Sequence, residues 1–329
     1  MTLTLAIPSK GRLQEQASAY FADAGITLKQ ASGARGYRAT LSGLPGIDVM
    51  LLSATEIAAA LLAGDVHLGI TGEDLLRETA PELESRIALL KPLGFGFANV
   101  VVAVPQAWID VSTMADLDDV CAAFAHRHRR RLRIATKYLH LTRAFFAHAG
   151  ISDYRIVESA GATEGAPTAG SAEAIVDITT TGATLAANGL KILDDGTILE
   201  SQAQLAASLT AGWNAEARAS AQSLLSRLGA RERARANHVM RVRLDSGADS
   251  TLGRLAALDV SVLSRPSEAS GEYALLCPRE RLMEAAELLR TQAGATATVH
   301  DVDYVFDDSD PLSAKLEAAL ATAETQARP

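Results

Sequence analysis

Asp177-Ile178-Thr179-Thr180-Thr181-Gly182-Ala183-Thr184-Leu185-Ala186-Ala187-Asn188-Gly189-Leu190 joins an apolar strand to the mouth of a helix. The strand delivers an acid, then hydroxyls and a glycine, where backbone N–H groups lack partners and the helix dipole favours an anion. Gly182 lets the backbone come close to a ligand. Thr180, Thr181 and Thr184 offer hydroxyl donors, and Asp177 can accept from ribose hydroxyls. This constellation suits a phosphorylated sugar; a plain helix N-cap built from threonines gives the same pattern.

The flanking sequence supplies the layers. Thr2–Ile7 alternates and stops at Pro8, which reads as a strand. A helix follows from Gly11 to about Gly25, with Leu13, Ala17, Tyr20, Phe21 and Ala24 at helical spacing. Tyr37–Leu41 and Ile47–Leu52 are strand-like, and Ser53 with Glu56 forms a capping box over Ala54–Leu62. Val66–Ile70 is a strand, and Gly72-Glu73-Asp74 opens the next helix. This order predicts an α/β layer with a largely parallel sheet. Phe97–Val104, Arg131–Thr136, Asp153–Ser159 and Ala172–Thr179 are further strands, with helices over Val111–Ala125 and Leu139–Ala149. Ile192–Ala207 is β-branched and apolar, and Asn214–Ala236 is a long helix.

The C-terminal third has its own rhythm. Strands at His238–Leu244, Val260–Ser264, Glu272–Cys277 and Ala297–Phe306 alternate with helices at Ser250–Leu258 and Arg279–Gln292. The β-α-β-β-α-β order is ferredoxin-like and suits a small ligand-sensing module. From Asp307 onward, a helix and a frayed end fit equally.

The chain has 329 residues, 48% of them hydrophobic and 21% charged, which excludes a disordered chain and allows two or three domains. Two distant cysteines, Cys121 and Cys277, make neither a disulfide framework nor a metal pair, and read as core residues of a reducing compartment. A net charge of −8 and 5% aromatics argue against nucleic acid as a partner. The first apolar run is too short for a signal peptide, and no stretch is long enough to span a membrane, so a cytoplasmic protein is expected. No P-loop, Gly-x-Gly-x-x-Gly or Gly-x-Ser-x-Gly occurs. The basic run His126–Arg131 reads as a solvated surface segment.

Several motifs, taken in order, resemble the ATP phosphoribosyltransferases, the first enzymes of histidine biosynthesis. Residues 177–190 resemble that family's loop for phosphoribosyl pyrophosphate (PRPP). Ser9-Lys10-Gly11-Arg12-Leu13 is similar to its N-terminal Lys-Gly-Arg-Leu turn. Residues 64–74 match its Gly-x-x-Asp-Leu-Gly-Ile-x-Gly segment, with His67 in place of the acid. Ile134-Ala135-Thr136-Lys137-Tyr138 matches its Ile-Ala-Thr-x-Tyr strand end, and Glu164-Gly165-Ala166-Pro167 its Glu-x-Ala-Pro. Where the family often has Phe-Gly-x-Cys-Arg, this chain reads Phe95-Gly96-Phe97-Ala98-Asn99.

The resemblance implies a two-lobed, periplasmic-binding-protein-like (type II) α/β core with a C-terminal ferredoxin-like (ACT-like) regulatory domain. Lobe one would hold residues 1–104 with 208–236, lobe two 105–207, the regulatory domain 237–307, and a tail 308–329. The implied reaction joins PRPP and ATP, with Mg²⁺ on the pyrophosphate, histidine as inhibitor, and a homo-oligomer of dimers and hexamers. Asp177, Thr179, Thr180, Thr181, Gly182, Ala183 and Thr184 would hold PRPP, and Asp177 and Glu164 would meet its ribose. Lys10, Gly11, Arg12, Gly72, Glu73, Lys137 and Tyr138 would serve ATP or pyrophosphate, Lys10 being counted with the catalytic groups and Tyr138 lying against adenine. The metal ligands stay unassigned. A non-catalytic cleft-fold sensor, and a regulatory subunit of a related complex, are the alternatives.

Overall fold

Leu3, Leu5 and Ile7 are each fully buried, so the first strand lies inside its sheet. The computed structural model describes residues 2–30, 37–80, 82–159, 161–244, 248–266, 272–308 and 310–326. The elements of the first lobe are β1 (Leu3–Pro8), α1 (Gly11–Asp23), β2 (Leu28–Gln30), β3 (Arg38–Leu41), β4 (Ile47–Leu52), α2 (Ala54–Ala63), β5 (Leu68–Gly72), α3 (Glu73–Thr79), α4 (Leu83–Arg86) and β6 (Ile87–Pro92). β1 runs parallel to β4 and β5, as the β-α-β order requires. The Ser53–Glu56 capping box forms, and Gly64 closes α2 with a φ of 81°.

The second lobe follows: β7 (Asn99–Pro105), α5 (Met114–His128), β8 (Leu132–Thr136), α6 (Leu139–His148), β9 (Tyr154–Glu158), β10 (Ala174–Thr179), α7 (Ala183–Ala187) and β11 (Leu190–Leu199). The chain then returns through β12 (Ala203–Ser208) and α8 (Ala215–Ala236). The first sheet has the order β2-β3-β4-β1-β5-β12-β6 and the second β11-β7-β10-β8-β9.

These orders shift the expected lobe boundaries. Residues 99–104, expected in the first lobe, belong to β7, which pairs antiparallel with β10 and β11 in the second sheet. Residues 203–207, expected in the second lobe, belong to β12, which pairs with β5 and β6 in the first. Apolar and β-branched residues occur on both sides of Glu200-Ser201-Gln202, so composition does not mark this change of sheet; β12 is buried along its whole length and reads alike in either layer.

The last elements are β13 (Asn237–Val242), α9 (Ala248–Ala256), β14 (Ser261–Ser264), β15 (Tyr273–Pro278), α10 (Leu282–Gln292), β16 (Ala297–His300) and α11 (Pro311–Gln326). The sheet β14-β15-β13-β16 is antiparallel throughout and has ferredoxin-like topology. Its core contains Met240, Leu255, Leu275, Cys277 and Leu289. The alternation expected through Phe306 forms a strand only over Ala297–His300.

The chain divides into two compact units. One comprises Met1–Ala22, Ile26–Ser220 and Lys315–Pro329, and so contains both lobes. The other comprises Asp23–Gly25 and Ala221–Ala314. Residues 221–236, expected with lobe one, therefore go with the C-terminal sheet. Ala234 packs there against Leu276 and Val305. The tail is a helix rather than a frayed end: Lys315 Nζ donates to the Leu90 carbonyl at 3.2 Å, and Arg218 pairs with Glu317 and Glu324. No helix among the described residues is long and apolar enough to cross a membrane.

Candidate active site

β10 is flanked by β7 and β8 in the second sheet. Its last turn of sequence sets Asp177 opposite Val101 and Thr179 opposite Asn99. Asn99 therefore stands beside the end of the strand that leads into the loop. Beyond the strand, Gly182 has a φ of 76°, a left-handed conformation that strains any residue with a Cβ. The threonines shape the turn. Gly182 N donates to Thr179 Oγ1 at 2.8 Å, Ala183 N to Thr181 Oγ1 at 3.4 Å, and Thr180 Oγ1 donates to the Phe97 carbonyl at 3.0 Å. α7 has only five residues, so hydroxyls and local amides contribute more here than a helix macrodipole.

A pocket of about 370 Å³ opens on this loop, walled by Phe97, Glu164, Asp177 and residues from Ile178 to Leu185. Glu164 comes from a 3-10 turn over Thr163–Gly165. Burial raises the Asp177 carboxyl above its ordinary range. The Ile178 N–H, donating at 2.8 Å, and the Lys137 charge pull it down, while Glu164 pushes it up. Asp177, Glu164 and Lys137 thus form one electrostatic group. Thr179, Thr180, Thr181, Ala183 and Thr184 line the same pocket, and Gly182 lies between them.

A second pocket of about 350 Å³ shares Phe97 and Thr180 with the first. Arg12, Leu13, Gln16, Phe95 and the glycines 94 and 96 complete it. Arg12 is thus brought to Thr180 of the loop across more than 160 residues of sequence. Lys10, just before α1, and Gly11, its first residue, are exposed but do not line either pocket.

The other expected ATP-side residues are held differently. Glu73 is engaged within its own lobe: its carboxylate accepts from Arg77 Nε at 2.7 Å and from Gln204 Nε2 at 2.8 Å. Gly72 is required by close approach, since a Cβ there would lie 2.2 Å from Asp74 Oδ1. Lys137 is exposed, with Nζ 4.9 Å from the centre of the Tyr138 ring. Tyr138 is the clearest correction. Its side chain is 0% exposed and does not lie open to adenine. Its hydroxyl donates to Asp74 Oδ2 at 2.6 Å, and Asp74 Oδ1 accepts from Ser201 Oγ at 3.0 Å. Burial, followed by the Asp74 charge, raises the phenol far above its usual range, so it remains a donor.

Three features escaped the sequence reading. Asp74 and Ser201 are buried partners whose importance comes from a fold-dependent contact. Phe97, expected to head a strand, instead precedes β7 in the crossing segment between the lobes and is 53% exposed. The replacement His67 is a structural residue: Nδ1 accepts from Thr4 N at 3.1 Å, Nε2 faces the Gly212 carbonyl at 3.3 Å, and the ring meets Trp213 edge-on.

The remaining motifs are accounted for by packing. His126, Arg127 and His128 finish α5, and Arg130 pairs with Glu173 at 3.0 Å while stacking over Phe124. Burial pushes the Glu173 carboxyl up, but hydrogen bonds from Arg133 and Arg130 outweigh it and hold the group at about 2. Cys121 and Cys277 are buried free thiols, with the Cys121 thiol pushed up to about 12 chiefly by burial.

The family model described as HisG: ATP phosphoribosyltransferase matches residues 53–230. The ATP phosphoribosyltransferase of Bradyrhizobium diazoefficiens is 55% identical over 317 residues, covering 96% of this chain and 98% of that one. That of Nitrobacter winogradskyi is 54% identical over 323 residues, covering 98% and 99%. Among solved structures, the ATP phosphoribosyl transferase (HisG:HisZ) complex from Thermotoga maritima matches with a TM-score of 0.52 and 26% identity, over 69% of this chain and 95% of that chain.

Proposed function

The chain belongs to the ATP phosphoribosyltransferase family, and from that premise we propose how its own residues divide the work. The enzyme transfers the phosphoribosyl group of PRPP to N1 of ATP, giving N1-(5-phosphoribosyl)-ATP and pyrophosphate, the first step of histidine biosynthesis. The adenine N1 lone pair forms the new bond to ribose C1 as the C1–oxygen bond breaks, and pyrophosphate leaves with that electron pair. N1 is a sufficient nucleophile when neutral, so a covalent enzyme intermediate is not needed. The protein's task is then to align two polyanions and stabilise the charge on the leaving group.

In this reading the loop Thr179–Thr184 cradles the 5′-phosphate, with the Thr184 hydroxyl and free loop amides as donors. Asp177 and Glu164 accept from the ribose hydroxyls. Lys137, close enough to lower the Asp177 carboxyl, balances charge at the rim. Lys10 and Arg12, exposed on the first lobe, attract the pyrophosphate or the ATP phosphates. Gly11, Gly72, Glu73 and Tyr138 act by setting backbone and lobe positions. The observation that carries the reading is the single pocket walled by Glu164, Asp177 and residues 178–185.

The donor set fits Mg²⁺. The described residues contain no group of three or more His, Cys, Asp or Glu able to hold a metal alone. Two pocket carboxylates, Asp177 and Glu164, suit a hard cation that keeps its waters and takes other ligands from substrate oxygens. When bound, Mg²⁺ neutralises charge on the pyrophosphate.

The C-terminal ferredoxin-like sheet supports a further part of the proposal, that histidine inhibits through that domain; family membership supports the rest, a cytoplasmic homo-oligomer with dimers and hexamers in equilibrium. The test is the change in ultraviolet absorbance on mixing ATP, PRPP and Mg²⁺ with the full chain, with and without histidine, alongside sedimentation. Pyrophosphate release that histidine leaves unchanged would remove the regulatory part. A rate unaffected by Asp177→Asn would remove the assigned pocket.

A further inference from the structure

The expected adenine contact, Tyr138, is buried and bound to Asp74, so the base needs another partner. The two pockets on the first and second lobes share Phe97 and Thr180. One pocket has the chemistry of a sugar phosphate, with Asp177, Glu164 and the threonines. The other is lined by the polar side chains of Arg12, Gln16 and Thr180 together with the rings of Phe95 and Phe97.

Phe97 is 53% exposed. A single exposed apolar side chain carries no message by itself. This one is held on a fixed backbone. Thr180 Oγ1 donates to its carbonyl at 3.0 Å, the following Ala98 N donates to the Ser201 carbonyl at 2.9 Å, and Ala203 N donates to the Phe95 carbonyl at 2.9 Å. The segment is therefore pinned from both lobes, and the ring is presented without the ordering cost that a mobile loop would incur. Phe95 is half-buried, with its ring centre 6.3 Å from that of Tyr20, which leaves Phe97 as the more exposed of the two rings.

The reaction sets where a purine must lie. N1 has to reach the ribose C1 while Asp177 and Glu164 meet the sugar hydroxyls, so the base sits at the edge of the first pocket, toward the second. We propose that Phe97 is the stacking platform for the adenine of ATP, with the triphosphate directed toward Arg12. The proposal rests on the reading of the Asp177 pocket as the PRPP site. Stacking explains why an aromatic is tolerated in the open at this position, since every purine has a π-face and the contact needs no hydrogen-bond register.

The test is steady-state kinetics on the full-length enzyme with Phe97→Ala, Phe97→Leu and Phe97→Trp, beside Asp177→Asn, with calorimetric titration of ATP. Phe97→Ala should raise KM for ATP and weaken ATP binding by about ten- to a hundredfold, the usual worth of one base stacked on an aromatic. KM for PRPP should stay within about twofold, and thermal unfolding should be unchanged, because the ring is not part of the core. Phe97→Trp should keep wild-type ATP affinity, and Phe97→Leu should fall between. An unchanged KM for ATP in Phe97→Ala, or wild-type affinity in Phe97→Leu, overturns the platform. Equal rises in both KM values overturn it too, since they would mark a loop-shaping residue. If Asp177→Asn raises KM for PRPP while Phe97→Ala leaves that for ATP alone, only the platform fails. If Asp177→Asn leaves KM for PRPP unchanged, the pocket assignment fails and the platform with it.

Discussion

Tyr138 of the second lobe donates a 2.6 Å hydrogen bond to Asp74 of the first, and both side chains are buried. Close by, the Glu78 carboxylate accepts from the His140 and Leu141 N–H groups, so α3 also caps the start of α6. These contacts fasten the two lobes near the crossing segments. Removing only the phenol oxygen, in Tyr138→Phe, leaves a buried carboxylate short of a charge-assisted donor. The expected loss is about 1.5–3 kcal/mol, read as a lower urea midpoint with an unchanged slope.

The same carboxylate dictates Gly72. In Gly72→Ala the new Cβ meets Asp74 Oδ1, which accepts from Ser201 while Oδ2 accepts from Tyr138, so the carboxylate cannot swing aside freely. A loss of about 1–3 kcal/mol is expected, as for other overpacked sites. Thermal unfolding measures it. Because no positive φ is involved, Gly72→Ala combined with Asp74→Asn should cost less than the sum of the two single changes.

Thr184→Val keeps the shape of the side chain and deletes its hydroxyl, and Asp177→Asn deletes a charge in the same pocket. Each should raise KM for PRPP, Asp177→Asn by about ten- to a hundredfold, the equivalent of one hydrogen bond to a charged group. Histidine binding to the same variants, followed by calorimetry, should change much less. Equal loss of both ligands would contradict the loop assignment.

His67 gives a pH dependence. Burial lowers its pKa below the ordinary 6.5, despite the opposing hydrogen bond to Gly212. Below pH 6.5 the unfolded chain therefore takes up a proton that the folded chain refuses. Stability is complete above that value and falls as the pH drops through the window between 6.5 and the lower folded pKa. The slope is at most about 1.4 kcal/mol per pH unit from this group. Comparison of unfolding midpoints for wild type and His67→Phe between pH 7 and pH 5 isolates it: the variant should be less stable at neutral pH and show a shallower acid slope.

Much of the fold was legible because its signals are local. The Ser53–Glu56 capping box, the alternation of β1 and the ferredoxin-like order of the last third each depend on neighbours a few residues apart. Lobe membership was not. β7 and β12 are buried apolar strands, and only their pairing partners tell which sheet owns them. The tail's choice between helix and frayed end was also not local, since its helix makes contacts with Leu90 and Arg218 far back in the chain.

By itself, the sequence determined the chemistry of the loop from Asp177 to Thr184, because an acid, hydroxyls and a left-handed glycine between strand and helix are set by adjacent residues. Tertiary structure alone decided that Tyr138 faces Asp74 across 64 positions of sequence, and that an exposed Phe97 lines one pocket with Arg12 and Thr180. A side chain's period says which face it is on, but what that face meets is fixed only when two sheets and their crossing segments close around it.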